Sequence, residues 1–140
     1  AILHNGILAR RAVRLSDDSA FTKIALDDQP LEKLIARLHR RILTRDPVDA
    51  EIQLFASVLR DGYASRLRLD APPVSRKPLP RGLVSWSNHL DPKATKIKQQ
   101  LEVAARIGDP PTTKLESDWR ERLEDVIWAM VNSPEFVFVP

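Results

Sequence analysis

Between residues 84 and 92 the chain reads VSWSNHLDP, which sets a Trp, an Asn, a His and an Asp within six positions of one another. A histidine changes charge near neutral pH, so His89 could act as a base or a ligand, with Asn88 and Asp91 orienting it. Trp86 could wall a pocket or stack on a bound molecule. The same residues also have a plainer use. Asp-Pro ahead of a periodic run is a helix-start signal, with Asp91 as N-cap and Pro92 as the first helical residue. Trp86 and Leu90 would then bury their apolar bodies, and His89 would bond a backbone carbonyl. The start signals favour this second reading. Trp86, Asn88, His89 and Asp91 remain ligand or interface candidates, and no residue is assigned a catalytic role.

Other constellations are weaker. His4, His39 and His89 share no close spacing and form neither H-x-x-x-H nor H-E-x-x-H, so no metal site is expected. Glu121 and Asp125 stand four apart and can share a helix face, but Arg120 and Arg122 beside them favour a solvated, charge-paired surface. In RLHRRILTR, Arg37, Arg40, Arg41 and Arg45 fall on adjacent turns and could meet phosphates. Against this stand Glu32, Asp46 and Asp49, a net charge of only +3, and the lack of any nucleic-acid motif, so nucleic acid is not expected. Arginine is equally suited to carboxylates inside a multidomain assembly. With four glycines in the chain there is no phosphate-cradling loop, and no nucleophile elbow or kinase signature is present.

The elements that would position these residues are helical. In PLEKLIARLHRRIL, Leu31, Leu34, Ile35, Leu38 and Ile42 repeat at helical spacing, with Pro30 suited to the first helical position. The RDP that follows predicts a break, with Asp46 capping a second helix that begins at Pro47 and carries Ile52, Phe55, Ala56, Leu59 and Tyr63. Together these make a helical hairpin. Residues 1–26 predict two short helices separated by SDDS. Residues 71–84 hold four of the eleven prolines and no periodicity, so 71–91 is expected to be a long loop. Helical spacing resumes with Ala94, Ile97, Leu101 and Ala104 or Ala105, and Gly108 stands where a left-handed residue would end the run. The last helix should start at Ser117 as N-cap and bury Trp119, Leu123, Val126, Ile127 and Met130. Trp128, nine residues after Trp119, falls on the opposite side, which predicts a central helix. Ser133 can cap a last short turn, after which Phe136 and Phe138 have the period of a strand and predict an extended, packed tail. The expectation is an all-α domain over 1–140, an irregular helical bundle of about four main helices with short N-terminal ones.

Composition sets the bounds on function. An apolar share of 43% and a charged share of 29% are those of a folded globular chain. Basic residues outnumber acidic ones by 22 to 19, too small a surplus to make a strong field despite an isoelectric point near 9.5. The absence of cysteine excludes disulfides, thiolate metal sites and C-x-x-C-H haem attachment in this segment. No apolar run approaches the roughly 20 residues that span a bilayer, so no transmembrane segment is expected. The opening AILHNGILARR lacks Met and is apolar at once, which reads as a piece of a longer protein with any targeting signal upstream.

Three stretches, RILTRDPVDAEI, VSWSNHLDPKATKIK and DWRERLEDVIWAMVNSPEFVFVP, resemble the C-terminal domain of the planctomycete cytochrome-c-associated proteins, a large group of multidomain chains. The last stretch is the most specific, because its acidic-Trp-Arg start, its Glu-Asp pair and NSPEF occur together in order. The resemblance implies an extracytoplasmic chain, a domain to which no catalytic residue is carried over, and haem c only in another domain of the parent. The sequence departs from the family pattern at Val48, where a helix-capping Thr is usual. The expected role is a helical accessory or interaction module whose partners are other domains of its parent or a separate protein. The rival expectation is that residues 85–91 contribute to an active or ligand-binding site of that parent.

Overall fold

The computed structural model describes residues 13–68, 70–74, 84, 87 and 90–137, with the side chain of Val137 excepted. Among them lie α1 (Ala20–Leu26), α2 (Leu31–Ile42), α3 (Asp49–Leu59), α4 (Pro92–Ile107), α5 (Ser117–Val131) and α6 (Pro134–Val137). The protein is all-α, and the nearest thing to a strand among the described residues is an isolated antiparallel bridge between Leu67 and Leu115. The chain divides into two compact units, Ala1–Val74 with Pro111–Pro140, and Ser75–Pro110.

In the first unit, α1, α2, α3 and α5 share one core. Leu34, Ile35 and Leu38 of α2 meet Ala56 and Leu59 of α3 and Trp119, Leu123 and Ile127 of α5, with Ile24 and Ala25 of α1 and Leu15 completing it. Three of the expected stripes therefore lie in this core, and the stripe at 94–105 belongs to the second unit. α5 is central, packing against α2, α3 and α6. Trp119 is 1% exposed and donates its indole N–H to the Leu59 carbonyl at 2.9 Å, so the largest core side chain also satisfies an orphan carbonyl at the end of α3. Trp128 is partly buried against the core rather than enclosed within it.

The helix ends correct four expectations. Pro30 is the N-cap of α2 and not its first residue. α2 stops at Ile42 because Thr44 takes a left-handed backbone (φ 59°), and α3 begins at Asp49, not Pro47, with Val48 as N-cap. α5 is capped by Glu116, whose carboxylate accepts the Asp118 N–H at 2.8 Å, while Ser117 is already helical. After Val131 the chain turns once more, with Ser133 accepting the Phe136 N–H, so the tail at 134–137 is a helical turn where an extended segment was expected; Phe138 lies outside the described residues.

A residue that reads as ordinary loop charge ties the unit together. Arg66 is 4% exposed and donates to the carbonyls of Ala25 (3.0 Å), Asp27 (2.8 Å) and Tyr63 (2.9 Å), closing the C-terminal end of α1. Its guanidinium lies 3.9 Å from the centre of the Tyr63 ring, a cation–π contact. Gly62 has φ 72°, and a Cβ there would stand 3.3 Å from an Arg122 nitrogen that bonds the Asp61 carbonyl.

In the second unit α4 has complete local start and stop signals. Asp91 caps it, Pro92 is its first residue, and Gly108 ends it at φ 73° with its N–H on the Ala104 carbonyl.

Candidate functional site

Of the four residues first singled out, Asp91 is placed. Its exposed carboxylate accepts the Lys93 N–H at 2.8 Å, which is the capping geometry. Trp86, Asn88 and His89 lie outside the described residues.

A polar cluster of the first unit forms where the α2–α3 connection meets α6. Arg45 donates Nη1 and Nη2 to the two carboxylate oxygens of Glu51 (2.8 and 2.7 Å), and Nε and Nη2 to the two of Glu135 (2.5 and 2.7 Å). One guanidinium thus holds two carboxylates, each bidentately. Glu51 also accepts the Val48 N–H at 2.9 Å. The Arg45 bonds, helped by that backbone donor, hold the Glu51 carboxyl down at about 2, and Arg45 lowers the Glu135 carboxyl in the same way. Both carboxylates are taken up by Arg45, so the cluster ties the α2–α3 connection to α6.

His39 completes this corner. It is fully buried, its Nδ1 is 3.1 Å from the Ile35 carbonyl, and its ring meets Phe55 edge-on at 5.4 Å. A carbonyl can only accept, so Nδ1 carries the hydrogen. Nε2 stands 3.8 Å from Glu51, beyond hydrogen-bond distance. The cluster unites RILTRDPVDAEI with NSPEF, two of the stretches behind the family resemblance, across 90 positions of sequence.

A second polar feature is an open depression of about 460 Å³ between α1 and α2, lined by Ala20, Lys23, Ile24, Arg37, Arg40 and Arg41. Arg37 is held by Asp27 at 2.5 Å and by Gln29 at 2.9 Å, and Arg40 by Asp46. Lys23 and Arg41 have no side-chain hydrogen bond or ion pair among the described residues. Arg45, grouped with these arginines by sequence, is committed to Glu51 and Glu135 instead.

On α5, Arg120 lies 3.4 Å from Glu121 and 3.6 Å from Glu124, and Arg122 lies 3.2 Å from Asp61. Glu124 also accepts the Leu15 N–H at 2.9 Å, so that acidic run serves charge pairing and anchoring. Among the described residues no group of three or more His, Cys, Asp or Glu could hold a metal ion, and no helix is long and apolar enough to cross a membrane. No family model, curated protein or solved structure matches the chain.

Sequence reasoning missed Arg66, Glu135 and the depression. The six-residue interval from Arg45 to Glu51 spans a turn and has no periodic signature, and Glu135 is distant in sequence. Only the i, i+3, i+4 spacing of Arg37, Arg40 and Arg41 could have suggested a shared face.

Proposed function

We propose that this chain is a non-catalytic helical accessory module of a larger extracytoplasmic protein, packing against other domains of its parent or a protein partner. The observation that carries the reading is the surface of α4. Ala94 is its one buried residue among sixteen, while Leu101, Val103 and Ile107 are exposed, Ile107 to 64%. Val103 and Ile107 stand four apart and fall to one side of the Ala94, Ile97, Leu101 stripe, so apolar groups occupy two sides of the helix. Covering them with a neighbour stabilises the assembly by removing apolar area from water. The family resemblance supports the extracytoplasmic setting, with haem c confined to another domain, and the polar clusters of the first unit support a structural use of charge.

The test is to produce residues 1–140 and the remainder of the parent separately and titrate one with the other. Association is expected, weakened at least about tenfold by Leu101→Glu with Ile107→Glu, equivalent to about 1.4 kcal/mol. The unfolding midpoint of residues 1–140 should not change. Failure to associate overturns the reading. So does a loss of roughly 10²–10⁴-fold in parental turnover on His89→Gln with folding intact, which is the size of removing a general acid or base.

A further inference from the structure

We propose that the depression between α1 and α2 is a binding site for a short acidic segment of a protein partner, with an apolar side chain between its carboxylates. The site is independent of the α4 surface. Four cationic side chains from two helices converge on it, and two of them already hold carboxylates, Arg37 with Asp27 and Arg40 with Asp46. Those pairs show which anion the site's guanidinium groups accept in place. Lys23 and Arg41 carry the remaining two positive charges, and both are exposed.

The floor between the charges is aliphatic: Ala20 is half-buried and lies beside Ile24, which is 7% exposed, so an entering apolar side chain meets chiefly Ala20 while flanking carboxylates reach Lys23 and Arg41. The volume of about 460 Å³ lies within the roughly 300–1,000 Å³ usual for ligand sites. Its openness suits a segment lying across it better than an engulfed small molecule.

A nucleic acid fits less well. Tight binding to a phosphate backbone draws on about 6–10 phosphate contacts, and this site has two uncommitted cations. The row of arginines ends with α2 at Ile42, and the next arginine, Arg45 in the α2–α3 connection, is committed to Glu51 and Glu135.

The experiment titrates the full chain into a fluorescein-labelled peptide of sequence Asp-Glu-Leu-Glu-Asp at low ionic strength and follows anisotropy. Saturable binding is expected, weakened at least about tenfold by Lys23→Glu with Arg41→Glu, since like charges brought together at an interface cost several kcal/mol. Both substituted positions are exposed, and an unchanged helical circular dichroism spectrum and unfolding midpoint confirm the fold. Arg60→Glu with Arg68→Glu, a charge reversal elsewhere on the same unit, should leave binding unaltered. An Asn-Gln-Leu-Gln-Asn peptide should not bind. The proposal is overturned if the acidic peptide fails to bind or if both double variants weaken it equally. It is also overturned if inorganic phosphate competes as well as the peptide, or if duplex DNA binds more tightly than the peptide.

Discussion

α5 and α4 are the two longest helices among the described residues, 15 and 16 residues, and they treat their apolar side chains in opposite ways. α5 buries Trp119, Leu123, Val126, Ile127 and Met130 among α2, α3 and α6, whereas α4 buries Ala94 alone. Their local signals run the other way. α4 has an Asp cap, a Pro at its first position, a Glu102–Arg106 pair four apart and a left-handed Gly at its end. α5 begins on a Glu cap and ends on Asn132, with no basic residue in its last turn. Two means of holding a helix are therefore visible in one chain, tertiary burial in α5 and local termini in α4. Isolated helices of this length gain little from propensity alone, so the caps at both ends of α4 matter more to it than those of α5 do.

The sharpest break of this contrast comes from cutting one large side chain out of each helix. Trp119→Ala removes a side chain 1% exposed together with its bond to Leu59, and it should destabilise the first unit by about 3–5 kcal/mol. Leu101→Ala, at 38% exposure, should stay within about 0.5 kcal/mol in the same chain. Denaturant melts of the two variants against the parent sequence give both numbers. Equal effects would mean that α4 is held by burial as α5 is.

The same contrast governs what could be read from sequence. The α2 stripe, the Asp91 cap and the central place of α5 were all legible, because each is written in residues within one or two turns of one another. Arg66 was not, since nothing near it in sequence reveals that the end of α1 needs a donor. Thr44 gives no warning of its left-handed backbone, being β-branched and poorly suited to it. Glu135 was assigned to an extended tail because its role depends on a guanidinium 90 positions earlier. Periodicity also names a face without saying what it meets, so nothing in the 94–105 stripe announced that it would belong to the second unit.

Asp91→Ala tests the local half of the comparison. Loss of the bond to Lys93 should cost α4 about 0.5–2 kcal/mol, and Asp91→Asn much less, because Asn caps nearly as well. Hydrogen exchange of the amides in 92–107 reads this out. In the alanine variant their protection should fall while that of α5 stays constant; a matching fall in α5 would show that the two helices unfold as one.

Acid stability tests the charged corner. The folded Glu51 carboxyl sits at about 2 against an ordinary 4.5, so its contribution is fully present above about 4.5 and is lost as pH falls through about 2. With solvent screening of a partly exposed pair, the size is about 1 kcal/mol or less. Unfolding midpoints followed downward from neutral pH should drop across that window in the parent sequence and drop less in Glu51→Gln. The Glu135 carboxyl, lowered by the same arginine, keeps part of the slope. Identical slopes would remove the corner from the acid response.

The smallest expected effect repairs a local end inside the tertiary unit. Val48 is the N-cap of α3 with extended backbone (φ −82°, ψ 161°) and 60% exposure. Its side chain has no acceptor, so only the reciprocal half of a capping box is made, with Glu51 accepting the Val48 N–H. Threonine has nearly the same shape and would add the missing oxygen toward the first-turn amides, and at an exposed position its hydroxyl is not desolvated. Val48→Thr should therefore stabilise the chain by about 0.5–1 kcal/mol, and Val48→Ala should not. Denaturant midpoints decide it. If threonine gives no gain, the start of α3 is already held by Glu51 and Arg45, and tertiary contacts have made the local cap redundant where α4 still relies on its own.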